Sequence, residues 1–483
     1  MSGGCTAAPS ADRSSRGNYR VVALIVASTM IMEQIDATVL TTALPTIARD
    51  FRESVNALGL VLTAYLLAVA AFIPLSGRLA DRFGARSVLR AAILVFMAGS
   101  LLCAFSTSAA QMGMARFVQG AGGAMMTPVG RIALLRVTRR QDLVSATAWL
   151  VTPALLGPML GPPIGGLIVT HLDWRWIFYV NLPVGLAGIA AISLHIDNGR
   201  ADAPGRADIP GFLICAAGLG TLLLGCESAS QPGRLGQALL LLAVAGMMAG
   251  TYVRHAARRP DPLLDLTVLR DRSFRLSLIG GSLTRITQGA QPFLLPLMFQ
   301  VGFGFSAAVS GAIMLATAVG SLVSKAIVSP VLRRLGFRRS LIVNGLLSSL
   351  CYGLAAAFRA DWPVPLMMAV LTLAGFFMSF QFSVYNTVAY EGVEAARISR
   401  ASSLYSTFQQ LLLSLGICTA SVAIQASMAV RGSATPHRED FAAALVAVAL
   451  ISLSAFFVNR RFAPDAGSAM SGHVPRAEQD RPK

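Results

Sequence analysis

Near the start of the chain, two carboxylates, Glu33 and Asp36, stand three residues apart inside an otherwise apolar stretch. On a helix that spacing puts both on one face. Carboxyls so close titrate as a coupled unit, and such a site can take up a proton from one side of a barrier and release it to the other. A later apolar stretch is interrupted by Arg116, in the run Arg116-Phe117-Val118-Gln119-Gly120-Ala121-Gly122-Gly123. An arginine at mid-depth in lipid costs about 2.5–3.5 kcal/mol on insertion scales, so it must face a cavity or a partner. One of the two carboxylates would serve as that partner, and so would backbone carbonyls. Further on, Arg285, Gln288 and Gln291 share one apolar stretch, Lys325 sits in the next, and Gln381, Tyr385, Asn386, Gln409 and Gln410 follow. Polar groups of this kind are expected to line an internal cavity, with Gln119 and Arg285 among its walls.

The elements that must position these groups are read from composition. Of 483 residues, 54% are hydrophobic and only 13% charged, about half the charged share of a soluble domain. Apolar runs long enough to cross a hydrocarbon core recur from end to end. They are continuous rather than alternating, which selects helices over a barrel. The expected fold is an all-α polytopic membrane protein with spans near 21–47, 57–76, 88–105, 111–135, 143–169, 177–196, 209–227, 236–253, 276–301, 309–331, 340–358, 364–388, 402–428 and 441–459. The first apolar run is too long for a signal-peptide core and is expected to remain as a span.

The net charge of +17 is carried almost wholly by arginine, Lys325 and Lys483 being the two lysines. The arginines cluster between apolar runs: Arg78, Arg82, Arg86 and Arg90; Arg136, Arg139 and Arg140; Arg333, Arg334, Arg338 and Arg339. With fourteen spans and both termini cytoplasmic, every cluster falls on the cytoplasmic side, as the positive-inside rule requires. No basic soluble domain is left to grip nucleic acid. The six cysteines are scattered and form no Cys-x-x-Cys pair, so neither a disulfide framework nor a metal site is expected. No cofactor is implied. Neither lysine follows a glycine, so the chain has no phosphate loop, and an ion gradient remains as the energy source.

The loop from Gly77 to Arg86 has an echo at Ser329 to Arg338, in which Arg82, Gly84 and Arg86 align with Arg334, Gly336 and Arg338. Two related six-helix bundles, with two extra helices between them, account for this spacing. The expected layout is a cytoplasmic tail at 1–20, a first bundle at 21–196, a connecting region at 197–275, a second bundle at 276–459 and a cytoplasmic tail at 460–483. In the loop, Asp81 can accept from a helix N-terminus or an arginine, and Arg82 and Arg86 can bridge to neighbouring helix ends. Contacts of that kind hold one conformer and break in another; arginines that merely fix topology are the plainer reading. In the fifth span, Gly157, Gly161 and Gly165 recur every four residues as a smooth packing stripe, while Pro158 and Pro162 remove backbone donors and allow a kink.

These residues together resemble the major facilitator superfamily, over nearly the whole chain. The resemblance is to its fourteen-span drug:proton antiporter branch, and within it to MdtD-like multidrug transporters, on Gly-Ala-Met-Met-x-Pro-Val-Gly-Arg at 123–131, Arg285 and Lys325. It implies proton coupling at Asp36 and Arg116, with Glu33 outside the usual pattern. It also implies a gate at Gly77, Asp81, Arg82, Gly84 and Arg86, and an antiporter signature at Gly157, Pro158, Gly161, Pro162 and Gly165. The function so implied is proton-driven export of small molecules across the inner membrane, with uptake by proton symport on the same scaffold as the alternative. Arg285 and Lys325 have no carboxylate partner nearby in sequence. They favour an anionic or zwitterionic substrate unless Glu227 or backbone carbonyls neutralise them.

Overall fold

The structure is a computed structural model and describes residues 19–53, 59–139, 142–154, 156–199, 208–229, 233–394, 397–433 and 435–471. Of the tails expected at 1–20 and 460–483, only residues 19–20 and 460–471 are among these. All regular elements among them are helical, as apolar backbone in lipid requires. In chain order they are α1 (Tyr19–Phe51), α2 (Gly59–Phe72), α3 (Ser76–Phe83), α4 (Ala85–Ala104), α5 (Ala109–Val137), α6 (Leu143–Ala154), α7 (Leu156–His171), α8 (Trp176–Tyr179) and α9 (Asn181–His195). There follow α10 (Ile209–Ala229), α11 (Leu235–Arg258), α12 (Arg272–Leu297), α13 (Ala307–Ala355), α14 (Val364–Val388), α15 (Ile398–Arg431), α16 (Arg438–Asn459) and α17 (Ser468–Ser471).

Ten helices among the described residues are long and apolar enough to cross a membrane, with α2 and α3 joined through a 3₁₀ turn at Ile73–Leu75 and α8 running on into α9. Polar residues mark where helices begin. Ser108 accepts from the Gln111 amide, Asp271 from Phe274 and Ser306 from Val309, which satisfies first-turn donors. Proline inside α12, at 292 and 296, precedes a π turn at Met298–Gly302, where the ladder adjusts to missing donors.

One difference from the sequence reading concerns α13, which covers two expected spans and the loop between them. The helix is broken at Gly336, with φ 70° and ψ 171°. Its counterpart in the repeat, Gly84, has φ 86° and ψ 146° and separates α3 from α4. Both turns need a left-handed φ that only glycine adopts without strain, so the sequence echo is also a conformational one.

Helices α1–α9 pack chiefly on one another, through α4 on α5, α2 on α5 and α1 on α7; α12–α16 do likewise, through α13 on α14 and α12 on α15 and α16. The α10–α11 hairpin lies against α2 and α15 and is the least buried part of the helical bundle. Lipid offers little hydrophobic drive for helix association, so close packing must come from small residues. A side-chain carbon on Gly120 would lie 2.6 Å from the Tyr65 carbonyl, and one on Gly122 2.6 Å from the Ala92 carbonyl. The glycine run after Arg116 thus lets α2 and α4 touch α5 directly and fixes the depth of the groups described next.

Candidate functional site

Asp36 on α1 and Arg116 on α5 form an ion pair, and each is 1% exposed. Arg116 lies one turn before Gln119, so both project from the same face of α5. The Arg116 guanidinium donates to Asp36 Oδ2 and, at 2.6 Å, to Gln119 Oε1. Gln119 Nε2 donates to Asp36 Oδ1 at 2.9 Å and to Ser100 Oγ at 2.8 Å. Asn181, the first residue of α9, donates to Asp36 Oδ1 at 2.7 Å and to Ser100 Oγ at 3.1 Å. The Tyr65 ring closes the other side, 4.4 Å from the Arg116 Cζ. A buried ion pair offsets its desolvation only when its remaining lone pairs and protons are also satisfied. Here Asp36 has three donors from two further helices, and the cluster ties α1, α4, α5 and α9 together.

Glu33, one turn before Asp36, is half-buried and accepts from Thr127 Oγ1 at 3.4 Å. The Tyr65 hydroxyl and Glu33 Oε1 both flank Gly123, at 2.9 and 3.7 Å from where its side chain would begin. The Tyr65 hydroxyl is buried without a hydrogen-bond partner. Two carboxyls, a phenol and a guanidinium thus share one region at mid-depth, one carboxyl paired and the other not.

In the second group of helices a cavity is lined by Thr284, Arg285, Gln288, Gln381, Phe382 and Tyr385, together with Tyr352 and Tyr405. Its water-reachable volume is about 10 Å³, close to what one water needs. Arg285 donates to Gln288 at 3.4 Å and stacks 4.2 Å from the centre of the Phe382 ring. Gln381 accepts from Asn344 at 3.0 Å and donates to the Tyr385 hydroxyl, which in turn donates to Asn459.

The two groups of helices meet at the end where the arginine clusters lie. Gly77 approaches α15 so closely that a side-chain carbon would sit 2.6 Å from the Ser399 carbonyl. Ser403 donates to the Pro74 carbonyl at 2.8 Å, and Arg136 donates to both Asp81 at 3.0 Å and Ser399 at 3.1 Å. Asp261, in the segment after α11, takes Arg78 of α3 at 2.9 Å and Arg400 of α15 at 3.4 Å, so one carboxylate clasps both groups. Beside it Asp265 binds Arg397 at 3.0 Å. Although burial opposes its charge, hydrogen bonds from Thr267 and Arg397 hold the Asp265 carboxyl below its usual range.

Comparison with known proteins decides the family. The sequence profile described as Major Facilitator Superfamily matches residues 26–417. The chain belongs to the major facilitator superfamily. It is 36% identical over 444 residues to the MdtD protein of Pectobacterium carotovorum subsp. carotovorum (strain PC1), covering 90% of this chain and 94% of the relative. It is likewise 36% identical over 428 residues to MdtD of Salmonella heidelberg (strain SL476), covering 87% and 90%; both relatives are assigned provisionally to multidrug resistance. Two solved superfamily structures share the fold at 15% identity. One is the human organic anion transporter MFSD10, with a TM-score of 0.64 over 91% of this chain and 99% of that one. The other is the proton:xylose symporter XylE, with 0.63 over 94% and 98%. A transporter, not an enzyme, is what these residues serve.

In this major facilitator the residues singled out by sequence fall into three places. Asp36, Arg116 and Gln119 meet in one cluster, with Glu33 beside it; Gln119 therefore belongs to the carboxylate cluster rather than to the Arg285 cavity. Arg285, Gln288, Gln381 and Tyr385 meet in that cavity. Lys325 stands outside its lining, donating to the Ser379 carbonyl at 3.3 Å and to Ser383 Oγ at 2.5 Å, and Asn386 turns to Gln409 at 2.9 Å. Glu227 bonds Thr63 rather than either cation. Gly77 and Asp81 join the contact between the groups. Arg82 is exposed over Phe83, Arg86 is half-buried, and neither has an ion pair among the described residues. Gly157 and Gly161 press on α1, where side-chain carbons would lie 2.5 Å from Gln34 Cβ and 1.8 Å from Thr38 Oγ1. Gly165 is buried on the same helix, and the side chains of Pro158 and Pro162 lie outside the described residues. Sequence reasoning did not find Asn181, Ser100 or Asp261. The first two are single small polar residues within or at the edge of apolar runs, the only signal they give.

Proposed function

We propose that this major facilitator is a proton-coupled exporter of small molecules, working by alternating access in the inner membrane with both termini cytoplasmic. The observation that carries this reading is the Asp36–Arg116 pair, fully buried and held by Gln119 and Asn181. Protonation of Asp36 removes the charge that binds Arg116 and leaves that guanidinium with Gln119 and the Tyr65 ring. The pair is therefore a two-state element at the junction of four helices, and a shift in its protonation biases how those helices pack. Glu33, one turn away, is the second carboxyl of the coupled unit. The contacts of Gly77, Asp81, Arg136, Ser399 and Asp261 form the cytoplasmic gate in its closed condition, and opening it requires those bonds to break.

Fourteen spans in a six, two and six arrangement are supported by the ten apolar helices, the division of α13 at Gly336, the lengths of α5 and α12, and α6 with α7 as one span. Export rather than uptake is supported by the Gly-Pro stripe of α7 and by the multidrug-resistance assignment of the relatives. The test is direction. In proteoliposomes of known orientation, acidifying the periplasmic side is expected to drive a labelled organic substrate toward that side. Movement of substrate with the protons, toward the cytoplasmic side, would establish uptake instead.

A further inference from the structure

Arg116 has its carboxylate, whereas three other cations buried in spans do not. Among the described residues, no carboxylate lies within ion-pair distance of Arg131, Arg285 or Lys325, although these are 7%, 7% and 8% exposed. Lys325 is accounted for by the Ser379 carbonyl and Ser383 hydroxyl. The two arginines are not. Arg131 Nη1 is buried without any hydrogen-bond partner, and Arg285 has one long bond, to a neutral amide. An unpaired buried charge is costly and is kept where it serves a site.

The two arginines also converge. Arg131 comes from α5 in the first group, and its Cζ lies 5.9 Å from the centre of the Tyr405 ring. Tyr405, on α15 in the second group, lines the same cavity as Arg285. Its hydroxyl faces Gly281, one helical turn before Arg285, at 3.5 Å from where a side chain would begin. Two guanidiniums from opposite groups of helices therefore bracket one phenol at the cavity wall. The rest of the wall mixes aromatic and soft groups, Phe382, Tyr352, Tyr385 and Met378, with neutral polar ones such as Gln288 and Gln381, and it contains no acidic residue.

We propose that this site takes an organic anion with a flat apolar body, such as an aromatic carboxylate. The carboxylate would join Arg131 to Arg285, and the body would lie along Phe382 and Met378. The inference rests on the transport reading above and names its substrate class. A guanidinium recognises a carboxylate by paired N–H donors, and the aromatic wall contributes by stacking. A zwitterion would leave its ammonium without a carboxylate in this cavity, and a lipophilic cation would be repelled by both arginines. The cavity has room for about one water in this conformation, so the anion would be held in one where the two groups stand further apart, with one arginine contributed by each. Binding is thereby tied to the conformational change.

The test uses the full-length chain in lipid nanodiscs and isothermal titration calorimetry with three probes of similar size. These are 1-naphthoate, its neutral analogue 1-naphthamide and the cation tetraphenylphosphonium. Naphthoate is expected to bind at least about tenfold more tightly than either, and Arg131→Gln and Arg285→Gln each to abolish that preference. Neither substitution strands a charged partner, Arg285→Gln losing only the long bond to Gln288, and unchanged binding of naphthamide by the variants is the check that the cavity survives. Absence of naphthoate binding, equal or tighter binding of the cation, or a preference that persists in both variants would overturn the proposal. Asp36-dependent, gradient-driven movement of tetraphenylphosphonium would do so while leaving the export reading intact.

Discussion

At the scale of single residues, the carboxylate cluster assigns separate work to each member. Asp36 carries the charge, Arg116 balances it, and Gln119 and Asn181 hold the carboxylate oxygens in place. A hydrogen bond to a charged group is worth about 1.5–3 kcal/mol, so the loss of one donor is not absorbed silently. Asn181→Ala is expected to lower gradient-driven transport by about tenfold at equal protein content, measured as initial rates in proteoliposomes. A wild-type rate would show that Asp36 does not depend on that donor. Just before α10, Asp208 is bonded by His255 at 2.8 Å, Arg259 at 3.1 Å and the Leu263 amide at 2.9 Å. Burial opposes its charge, but the bonds from His255 and the Leu263 and Gly211 amides prevail and hold its carboxyl below its usual range. A depressed carboxyl stabilises the fold above its unfolded value of about 4. That stabilisation is expected to fade as pH falls through the folded value, read as a thermal-shift difference between wild type and Asp208→Asn that closes in acid. A difference that stays constant down to strongly acidic pH would refute it.

At the scale of elements, glycine placement decides which helices can touch. Gly161 brings α7 onto Thr38 of α1, and Gly77 brings α3 onto the Ser399 backbone of α15. A side chain forced into such a contact costs about 1–3 kcal/mol through displaced neighbours. Gly161→Leu is therefore expected to lower the melting temperature of the detergent-purified protein by several degrees, while Gly246→Leu, at a position open on the outer hairpin, leaves it unchanged. Equal melting of both variants would remove the close α1–α7 contact from the account. This scale also shows what was legible in sequence. Apolar runs located the helices, because burial in lipid demands length and continuity. The left-handed turns at Gly84 and Gly336 could be anticipated from the repeat. The clasp at Asp261 could not, since it joins residues 183 positions apart through a segment with no periodicity. Asn181 of α9, which bonds Asp36, and Ser100 of α4, which accepts from Asn181 and Gln119, were equally hidden, because helical spacing relates residues within one helix and not between helices.

At the scale of the whole molecule, the two groups of helices touch at the arginine-rich end, while the carboxylate cluster sits within the first group and the Arg285 cavity within the second. Tyr405 and Arg131 lie between them, so under the proposed function the proton and substrate sites are separate and communicate through helix packing. Coupling of that kind places the proton-dependent step at Asp36 and leaves exchange of bound substrate free of it. The most direct test is Asp36→Asn in proteoliposomes, comparing efflux driven by a pH gradient with substrate counterflow in the absence of one. The expected result is loss of gradient-driven efflux with counterflow retained. Gradient-driven efflux at the wild-type rate would contradict the account.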